Sequence, residues 1–501
     1  MRTNRTIAGW LTLLALFTFN LQHSTAVAQG VVVYPVATNG AVTQYGGGLA
    51  TDGTNYLFVF SSGNTNCAQL VSSNGALLGS QIVLSGGAEG LPPQLQVTSG
   101  KTNYLAVWSD GTINTGADIF GQFISRSGAT VGSKFPLLQS VGSHGFQGIE
   151  ALACDGTNFL VIWQDEAGLK TSGGSSTNVS YGQLVTPSGT LSGSEFPVAT
   201  VGLPLQAQGL GVAFGRTNYL AVWQSGYSYD SGNGGGHYTA YGAFISPIGV
   251  VGAPFAISQT NSPDNNDLAT EMFDGTNYLA IWNFNPGTPD VNPIDWRVHG
   301  RLVSSQGNFP GNETVLVNES NAAVCSLAFD GSDYLAGWGY HLDTTNADKN
   351  VHFRFFDRNA SPVGLVFSIF PAQGTNAPLA AGIFNGIVFD GKRFAILGDL
   401  GTVVIGANGD FEGIPSAQVY GAFLPASTAP PQFCAGPSYG NQQFTLSLAG
   451  TPGINYAVQV ATNLVAPIWT SLVTNSPTNG PFTFTDTGAT NRSGFYQAVK
   501  L

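Results

Sequence analysis

The chain has 501 residues, of which only 9% are charged and 67 are glycine, so tight turns and short strands are expected instead of charge-rich helices. A hydrophobic fraction of 43% is ordinary for a globular protein and argues against disorder. The 16 basic side chains are outnumbered by 28 acidic ones, and the net charge of −12 disfavours nucleic acid and anionic membranes as partners.

The first 28 residues have the pattern of a signal peptide. Arg2 and Arg5 provide a positive start, residues 7–19 form an apolar run, and residues 26–28 (Ala-Val-Ala) are a cleavage site of the A-x-A type. The apolar run is too short to span a bilayer. The sequence therefore predicts a mature protein that begins near Gln29 and is secreted, periplasmic or located at the cell surface.

After this segment, one unit recurs seven times. Each copy contains a variant of the phrase Asn-Tyr-Leu-Ala-Val-Trp, and the copies follow one another at spacings of 48–60 residues. The aromatic anchors of the seven copies are Tyr56, Tyr104, Phe159, Tyr219, Tyr278, Tyr334 and Phe394. Units of this length with four short strands each are typical of the blades of a β-propeller.

Each unit divides into four predicted strands, A to D in chain order, and the anchor phrase is strand B. In five units the turn between A and B is Asp-Gly, which predicts a type I′ hairpin with positive φ at both residues. The other two units have Gly100-Lys101 and Gly215-Arg216 at this point, which predicts a type II′ turn. A Trp closes strand B in five units, and its recurrence predicts packing between neighbouring blades: Trp108, Trp163, Trp223, Trp282 and Trp338.

The seventh unit ends after strand C at Leu424 and lacks a strand D of its own. Residues 34–38 (Tyr-Pro-Val-Ala-Thr), near the mature N-terminus, match residues 196–200 (Phe-Pro-Val-Ala-Thr), which are strand D of the third unit. An N-terminal strand that completes the last blade would remove the exposed edges of an open array. We therefore predict an all-β fold with a seven-bladed β-propeller over residues 29–426, closed by its N-terminal strand.

The repeats resemble a group of secreted bacterial β-propeller repeat proteins, whose unit reads Asp-Gly-Thr-Asn-Tyr-Leu-x-Val-Trp followed by Tyr-Gly-Gln-x-Val-Ser-x-x-Gly. The resemblance covers residues 31–425. It implies a propeller-like fold and no common activity. Units one, six and seven depart most, with Cys67-Ala68 and His352-Phe353 in place of Tyr-Gly, and Gly398 in place of the Trp.

The C-terminal part has a different pattern. Residues 427–432 contain Pro430 and Pro431 and are predicted to be a linker. Residues 433–501 contain five short segments of alternating polarity, which predict a small β-sandwich. This module resembles the fibronectin-type or immunoglobulin-like modules at the ends of secreted bacterial proteins, which implies a role as a spacer or an attachment module.

The loops between strands B and C differ from unit to unit, whereas the strands repeat. Variable loops on a rigid scaffold commonly carry function. Aromatic side chains on such loops can stack on sugar faces or anchor a protein partner. The predicted ligand-binding residues are Trp296, Tyr227, Tyr229, His237, Tyr238, Phe284, Tyr340 and His341.

From this loop face we predict an exported, non-catalytic binding or adhesion protein that recognises a glycan or an extracellular protein. One alternative is a polysaccharide-degrading glycoside hydrolase or lyase, in which carboxylates from different blades act together, such as Asp165 or Glu166 with Asp295. Another is a purely structural surface protein. Residues 436–440 match G-x-S-x-G but lack the strand-turn-helix setting of a nucleophile, so no catalytic residue is assigned.

No cofactor is predicted. The four cysteines, Cys67, Cys154, Cys325 and Cys434, are too scattered for a zinc site. The first three fall on repeat strands, where they are predicted to be small buried hydrophobes. A Ca²⁺ site is the one metal alternative. It rests on clustered oxygen ligands whose order does not match an EF-hand loop: Asp264, Asn265, Asn266, Asp267 and Glu271.

Overall fold

The computed structural model describes residues 31–38, 42–86, 95–112, 116–137, 147–165, 179–199, 206–226, 238–259, 265–285, 296–319, 322–340, 351–369, 384–400, 404–405, 411–413, 417–427, 432–440, 443–451, 453–461, 468–476, 482–487 and 495–501. The chain divides into two compact units, Val32–Thr428 and a unit that contains Ala429–Leu501. All regular structure in the described ranges is β-strand, so the all-β prediction is confirmed. Within those ranges no helix is long and apolar enough to cross a membrane. The predicted signal peptide lies outside the described residues.

The larger unit consists of seven four-stranded antiparallel sheets. The first three sheets contain β2 (Gln44–Thr51), β3 (Asn55–Ser62), β4 (Thr65–Ser72), β5 (Leu77–Gly86); β6 (Leu95–Ser99), β7 (Asn103–Thr112), β8 (Gly116–Ser125), β9 (Thr130–Pro136); and β10 (Gln147–Cys154), β11 (Phe159–Asp165), β12 (Val179–Val185), β13 (Leu191–Ala199). The next three contain β14 (Gln206–Gly215), β15 (Asn218–Gly226), β16 (Tyr238–Ile245), β17 (Phe255–Ala256); β18 (Asn265–Phe273), β19 (Asn277–Asn285), β20 (Arg297–Ser304), β21 (Thr314–Val317); and β22 (Ala322–Phe329), β23 (Tyr334–Tyr340), β24 (His352–Phe356), β25 (Pro362–Ser368). The seventh contains β26 (Phe384–Phe389), β27 (Arg393–Leu400), β30 (Gln418–Pro425) and β1 (Val32–Ala37), and a separate ribbon pairs β28 (Val404–Ile405) with β29 (Phe411–Gly413).

Neighbouring sheets pack face to face through their first strands. β2 lies against β6, β6 against β10, and so on through β22 against β26, and β26 also contacts β2. Because side chains alternate along a strand, each sheet buries one set against the preceding sheet and the other against the following one. The repeated Trp side chains belong to these interfaces and are at most 1% exposed, which confirms their predicted packing role. Trp108, for example, packs against Val59 and Leu70 of the first sheet.

In several sheets the anchor tyrosine of strand B is hydrogen-bonded to the A-to-B turn of a neighbouring sheet. The hydroxyl of Tyr278 donates to the carbonyl of Asn218 at 2.9 Å, and that of Tyr104 donates to the carbonyl of Asn55 at 3.2 Å. Phe394 has no hydroxyl to donate to the sixth sheet. In the A-to-B turn of the sixth sheet, the Asp330 carboxylate instead accepts the backbone N–H of Ser427 at 2.7 Å. Ser427 follows β30 of the seventh sheet.

The structure corrects the predicted turn type. The backbone N–H of Asp52 donates to the carbonyl of Asn55, and the Asp52 carboxylate accepts the N–H groups of Thr54 and Asn55 at 2.8 and 2.7 Å. Only Gly53 has a positive φ, 86°, so the central pair is Gly53-Thr54 with glycine first, the pattern of a type II′ turn. Asp precedes the turn because its carboxylate satisfies two amides. The same contacts recur at Asp155, Asp274, Asp330 and Asp390.

The two turns without Asp also differ from the prediction. In the fourth sheet the residue with positive φ is Arg216, at 62°, and not Gly215. A Cβ on Gly215 would overlap the ring of Tyr278, so glycine is needed there for close packing. Gly100 similarly leaves room for Phe159. Both glycines serve the approach of the next sheet.

The N-terminal strand β1 pairs antiparallel with β30, with Tyr34 opposite Gly421. A Cβ on Gly421 would overlap the ring of Tyr34. The same arrangement occurs within other sheets, where a glycine of strand C accommodates an aromatic ring of strand D. A Cβ on Gly121 would lie 2.7 Å from Phe135, and one on Gly182 would lie 2.7 Å from Phe196. β1 thus occupies the strand D position of the seventh sheet.

The C-terminal unit contains two three-stranded antiparallel sheets, of order β31-β32-β35 and β34-β33-β36. Their strands are β31 (Gln432–Gly440), β32 (Gln443–Ala449), β33 (Tyr456–Ala461), β34 (Thr470–Asn475), β35 (Phe482–Asp486) and β36 (Phe495–Lys500). Leu446 and Leu448 of one sheet pack with Val458 of the other, and the rings of Phe444 and Tyr496 stack at 4.2 Å. The sequence pattern missed β31, which contains the G-x-S-x-G match.

Candidate functional site

Most of the predicted ligand-binding loops lie outside the described residues. This holds for Tyr227, Tyr229, His237 and His341, and also for the predicted carboxylates Glu166 and Asp295. Tyr238 begins β16 and Tyr340 ends β23, but their side chains are not among those described. The predicted site as a whole therefore stays a prediction.

Phe284 and Trp296 are described, and both belong to the fifth sheet region. The ring of Phe284 stacks on His299 at 3.9 Å, and His299 Nδ1 lies 2.7 Å from Glu313 Oε1. Trp296 is half-buried, and its carbonyl accepts the N–H of Ala322 at 3.0 Å. These contacts attach the start of β20 to the sixth sheet and give Phe284 a packing partner within its own sheet.

The repeat allows each position to be compared across seven sheets. A charged group that occurs in one sheet only costs free energy on burial and needs a reason of its own. The fifth residue before the A-to-B turn is such a position. Its occupants are Gly47, Leu95, Glu150, Leu210, Ala269, Cys325 and Asn385, so the third sheet alone carries a charge there.

Glu150 is the extra residue of a β-bulge in β10. Ile149 pairs with Trp163 and Ala151 pairs with Ile162, which leaves Glu150 without a pairing partner on β11. A bulge of this kind re-aims a side chain. The carboxylate reaches β12, where Glu150 Oε2 accepts a hydrogen bond from the Ser180 hydroxyl at 2.7 Å.

Ser180 is a second departure from the repeat. It is fully buried, and the corresponding residues of five other sheets are apolar: Ile119, Ala240, Val298, Val351 and Val419. Ala240 packs against the sheet that follows its own. By the same geometry, the Glu150–Ser180 pair lies on the side of the third sheet that faces the fourth.

Burial raises the pKa of Glu150 to about 7, although the hydrogen bond from Ser180 favours the ionised form. The residue is half-buried as a whole, whereas its carboxyl group is enclosed. At neutral pH the group is therefore divided between its acid and base forms. A carboxyl group in this state can donate or accept a proton in catalysis.

Two other buried carboxylates have different surroundings. Asp399 is fully buried, and its Oδ1 accepts the N–H of Gly46 at 2.8 Å, which joins the seventh sheet to the first. Asp165 is 4% exposed and follows Trp163 by two residues on β11, so both side chains lie on the side of the second sheet. Asp165, a predicted catalytic carboxylate, is thus separated from Glu150 by its own sheet.

The metal alternative finds no support in the part of the chain that the structure describes. Asp264 lies outside it, the side chains of 265–267 are not described, and Glu271 is enclosed between sheets. Among the described residues, no three His, Cys, Asp or Glu side chains are grouped to hold a metal ion. Cys67 is a buried free thiol, and Cys154 is a half-buried one.

Glu150 was missed by sequence reasoning because it belongs to no linear motif. A usable signal was nevertheless present. Aligning the seven units residue by residue sets Glu150 against uncharged residues in the other six copies: Gly47, Leu95, Leu210, Ala269, Cys325 and Asn385.

No protein-family model and no curated protein matches the chain. Among solved structures, it is similar to a prolyl endopeptidase at 13% identity and a TM-score of 0.41, over 89% of this chain and 59% of that one. It is similar to an α-L-arabinanase of Penicillium chrysogenum complexed with arabinobiose at 10% identity and a TM-score of 0.40, over 66% and 99% of the two chains. A polysaccharide lyase is similar at 10% identity and a TM-score of 0.47, over 76% and 90%. The chain thus spans less than two-thirds of the length of the prolyl endopeptidase.

These neighbours correct the main functional prediction. They are named as enzymes, and they include an arabinanase and a polysaccharide lyase. The predicted non-catalytic binding or adhesion protein is therefore not retained, and the predicted alternative is taken up below as a proposal. At 10–13% identity the likeness is one of fold, so the chemistry has to be argued from the residues of this chain.

Proposed function

We propose that the chain is an exported polysaccharide-degrading enzyme in which Glu150 is the general acid. The observation that carries the proposal is the buried carboxyl group of Glu150, which a β-bulge turns towards the Ser180 hydroxyl. Burial raises the pKa of Glu150 to about 7, which agrees with this geometry. Cleavage of a glycosidic bond needs an acid that is still protonated near neutral pH to protonate the departing oxygen. The Ser180 hydroxyl, 2.7 Å away, holds the carboxyl group in one orientation.

We infer that the seven sheets are the blades of a closed β-propeller, with β1 as the last strand of the seventh blade. The contact of β26 with β2 and the packing of Tyr34 over Gly421 support closure. In such a ring, the loops between strands B and C share one face with the connections between sheets. Glu150 lies level with Trp163, near the end of β11 that leads into one of these loops.

The reaction we propose is hydrolysis. Glu150 gives its proton to the glycosidic oxygen as the bond from the anomeric carbon to that oxygen breaks. Water adds to the anomeric carbon, and a second carboxylate removes its proton or first bonds to that carbon. The loop carboxylates Glu166 and Asp295 are the sequence candidates for this second role.

The charge of the chain favours a neutral substrate. A protein with a net charge of −12 repels an acidic polysaccharide at long range. We therefore place neutral glycans such as arabinan, xylan and galactan ahead of uronate polymers. Elimination by a lyase would instead leave an unsaturated sugar at the new chain end, which absorbs ultraviolet light.

The test uses the mature full-length chain with a panel of neutral and acidic polysaccharides. Reducing ends and ultraviolet absorbance are followed in parallel, so that hydrolysis and elimination are told apart. Glu150→Gln keeps the shape of the side chain but cannot supply a proton, and we expect a loss of activity of about 100-fold or more. Glu195→Gln, at a half-exposed position on β13 of the same sheet, is the matched control and should keep full activity.

Three results would count against the proposal. Full activity of a folded Glu150→Gln chain would remove Glu150 from the reaction. Release of unsaturated sugars alone would replace hydrolysis by elimination. Failure of the wild-type chain to degrade any polymer of the panel would remove the polysaccharide-degrading role itself.

A further inference from the structure

Glu271 of β18 is a buried carboxyl group that the proposed reaction does not use. Its residue is only 5% exposed. Neither carboxylate oxygen has a hydrogen-bond partner among the described residues. A buried ionised group in this state is costly, since it loses its hydration and gains no pairing in return.

The other six sheets show what this position normally holds. Glu271 is the third residue before the A-to-B turn and pairs with Ala280. The residues with the same register are aliphatic in every other sheet: Leu49, Val97, Leu152, Val212, Leu327 and Ile387. The fold therefore accepts an apolar side chain here, and the carboxyl group is particular to the fifth sheet.

Glu271 faces the fourth sheet. Val97, its counterpart in the second sheet, packs in the interface with the preceding sheet, and Ala280 beside Glu271 packs in the interface between the fourth and fifth sheets. The fourth sheet presents Ala213 from β14 and Leu220 and Val222 from β15 to this interface. The surroundings are thus apolar on the side from which a cation would have to come.

The titratable and charged groups described in this interface are few. At its turn end, the exposed Arg216 of the fourth sheet lies beside Gly275 of the fifth. Tyr278 of β19 is the neighbour, and its hydroxyl already donates to the carbonyl of Asn218. Farther along β20 lie His299, which is paired with Glu313, and Arg301, which donates to the carbonyl of Ile257 at 2.8 Å. β14, β15 and β16 present no ionisable side chain to it among those described.

We propose that Glu271 is a proton-dependent latch between the fourth and fifth sheets: the neutral carboxyl group fits the apolar interface, and ionisation loosens it. Burial holds the pKa of Glu271 well above its usual range, which agrees with this geometry. The protein would consequently pack these two sheets tightly in acidic surroundings and less tightly as the pH rises.

The direction of the pH effect follows from proton linkage. The unfolded chain gives up the Glu271 proton near the ordinary value of about 4.3, whereas the folded chain retains it to higher pH. The stabilisation is complete below that value and is lost as the pH rises towards the folded pKa. In this window each pH unit lowers the equilibrium constant for closing the interface about tenfold.

The test compares amide hydrogen exchange of β14 and β18 in the wild-type chain and in Glu271→Gln at pH 5, 7 and 9. At a given pH the two chains share the same intrinsic exchange rates, so the ratio of their rates reports the opening of the interface. We expect similar exchange at pH 5 and progressively faster exchange in the wild type at higher pH. The His299–Glu313 pair is present in both chains, so its contribution to the exchange rates cancels in this ratio.

Two further variants make the test decisive. Glu271→Leu introduces the aliphatic residue of the other sheets and, like Glu271→Gln, should abolish the pH dependence of exchange. Leu327→Glu places the carboxyl group in the same position of the sixth sheet and should bring pH-dependent exchange to β22. Equal pH dependence of exchange in the wild type and in Glu271→Gln would overturn the proposal. Faster exchange in Glu271→Leu than in the wild type at pH 9 would overturn it as well.

Discussion

The packing of Tyr34 gives the sharpest test of how the N-terminal strand is held. Tyr34 is 6% exposed, and its ring lies 4.8 Å from that of Phe423 in the seventh sheet and 6.3 Å from that of Phe58 in the first. Truncating a buried aromatic side chain to alanine costs about 3–5 kcal/mol. We expect Tyr34→Ala to lower the free energy of unfolding of the larger unit by this amount, since it loosens β1 from both sheets.

Tyr34→Phe is the matched control. The Tyr34 hydroxyl is buried without a hydrogen-bond partner among the described residues. Removing an unpaired buried hydroxyl is neutral or stabilises by up to about 1 kcal/mol, because its desolvation cost disappears. We thus expect the ring of Tyr34, and not its hydroxyl, to contribute to the free energy of unfolding.

Gly421 completes a double-mutant cycle with Tyr34. Gly421→Ala alone would drive its Cβ into the Tyr34 ring and should destabilise by about 1–3 kcal/mol. In the Tyr34→Ala background that ring is absent, so the same substitution should cost little. We expect a coupling of about 1–3 kcal/mol between the two sites.

Urea unfolding followed by tryptophan fluorescence measures all four members of the cycle, because the repeated Trp side chains are buried between sheets. Limited proteolysis with mass spectrometry adds a local readout of β1 itself. Additive costs of the two substitutions, or a loss below about 1 kcal/mol in Tyr34→Ala, would refute the reasoning that the ring of Tyr34 clamps β1 to the seventh sheet.

Two further predictions concern hydrogen bonds that only one sheet makes. Ser180→Ala removes a hydrogen bond that favours the ionised form of Glu150, so the pKa of Glu150 should rise. The alkaline limb of the pH–activity profile, which we expect near pH 7, should then move to higher pH. An unmoved limb would contradict the role of Glu150 as the acid. Asp330→Asn replaces the oxygen that accepts the Ser427 N–H by a donor, and should cost about 1–3 kcal/mol in urea unfolding and speed exchange at Ser427. Asp155→Asn is its control, and equal losses in both variants would show that the bond to Ser427 contributes nothing.

The four strands of each unit could be predicted because the repeat marks strand B and the turn before it. The anchor phrase starts strand B in every sheet, and the third residue before the turn always pairs with the second residue after the anchor. Buried Trp side chains at one register position explain why the pattern is so clear. Periodicity of this kind reflects packing, which the sequence records directly.

The positions of the turns were predicted correctly, but the two central residues of each Asp-Gly turn lie one residue later than predicted. Asp-Gly dipeptides mark type I′ hairpins in many proteins, and the same letters here belong to an Asp that caps and a Gly that turns. The contacts that separate the two readings are the hydrogen bonds that the backbone N–H groups of the second and third residues after Asp donate to its carboxylate. A dipeptide alone does not contain that information.

The candidate site was harder to predict, because the loops that were expected to carry it vary and share no motif with one another. Glu150 and Ser180 are 30 residues apart in sequence and meet only because β10 and β12 flank β11 in one sheet. Their partnership depends on a bulge, which shifts one side chain and leaves no mark in the hydrophobic pattern. Proximity of this kind follows from the sheet order and not from local sequence.

Departures from the repeat can be divided by whether the structure compensates for them. Gly337 replaces a branched side chain of strand B, and Phe353, directly opposite on β24, replaces a small residue of strand C, so volume is conserved between the two. Phe394 lacks the anchor hydroxyl, and the Asp330 carboxylate accepts the backbone N–H of Ser427 instead.

Glu271 has no such compensation in the described interface, and Glu150 has a single hydroxyl. The other six sheets use three aliphatic side chains, Leu, Val and Ile, at the Glu271 position. Packing therefore does not require a carboxyl group there. The roles that we propose for the two glutamates, as an acid and as a proton-dependent latch, account for a choice of residue that packing does not explain.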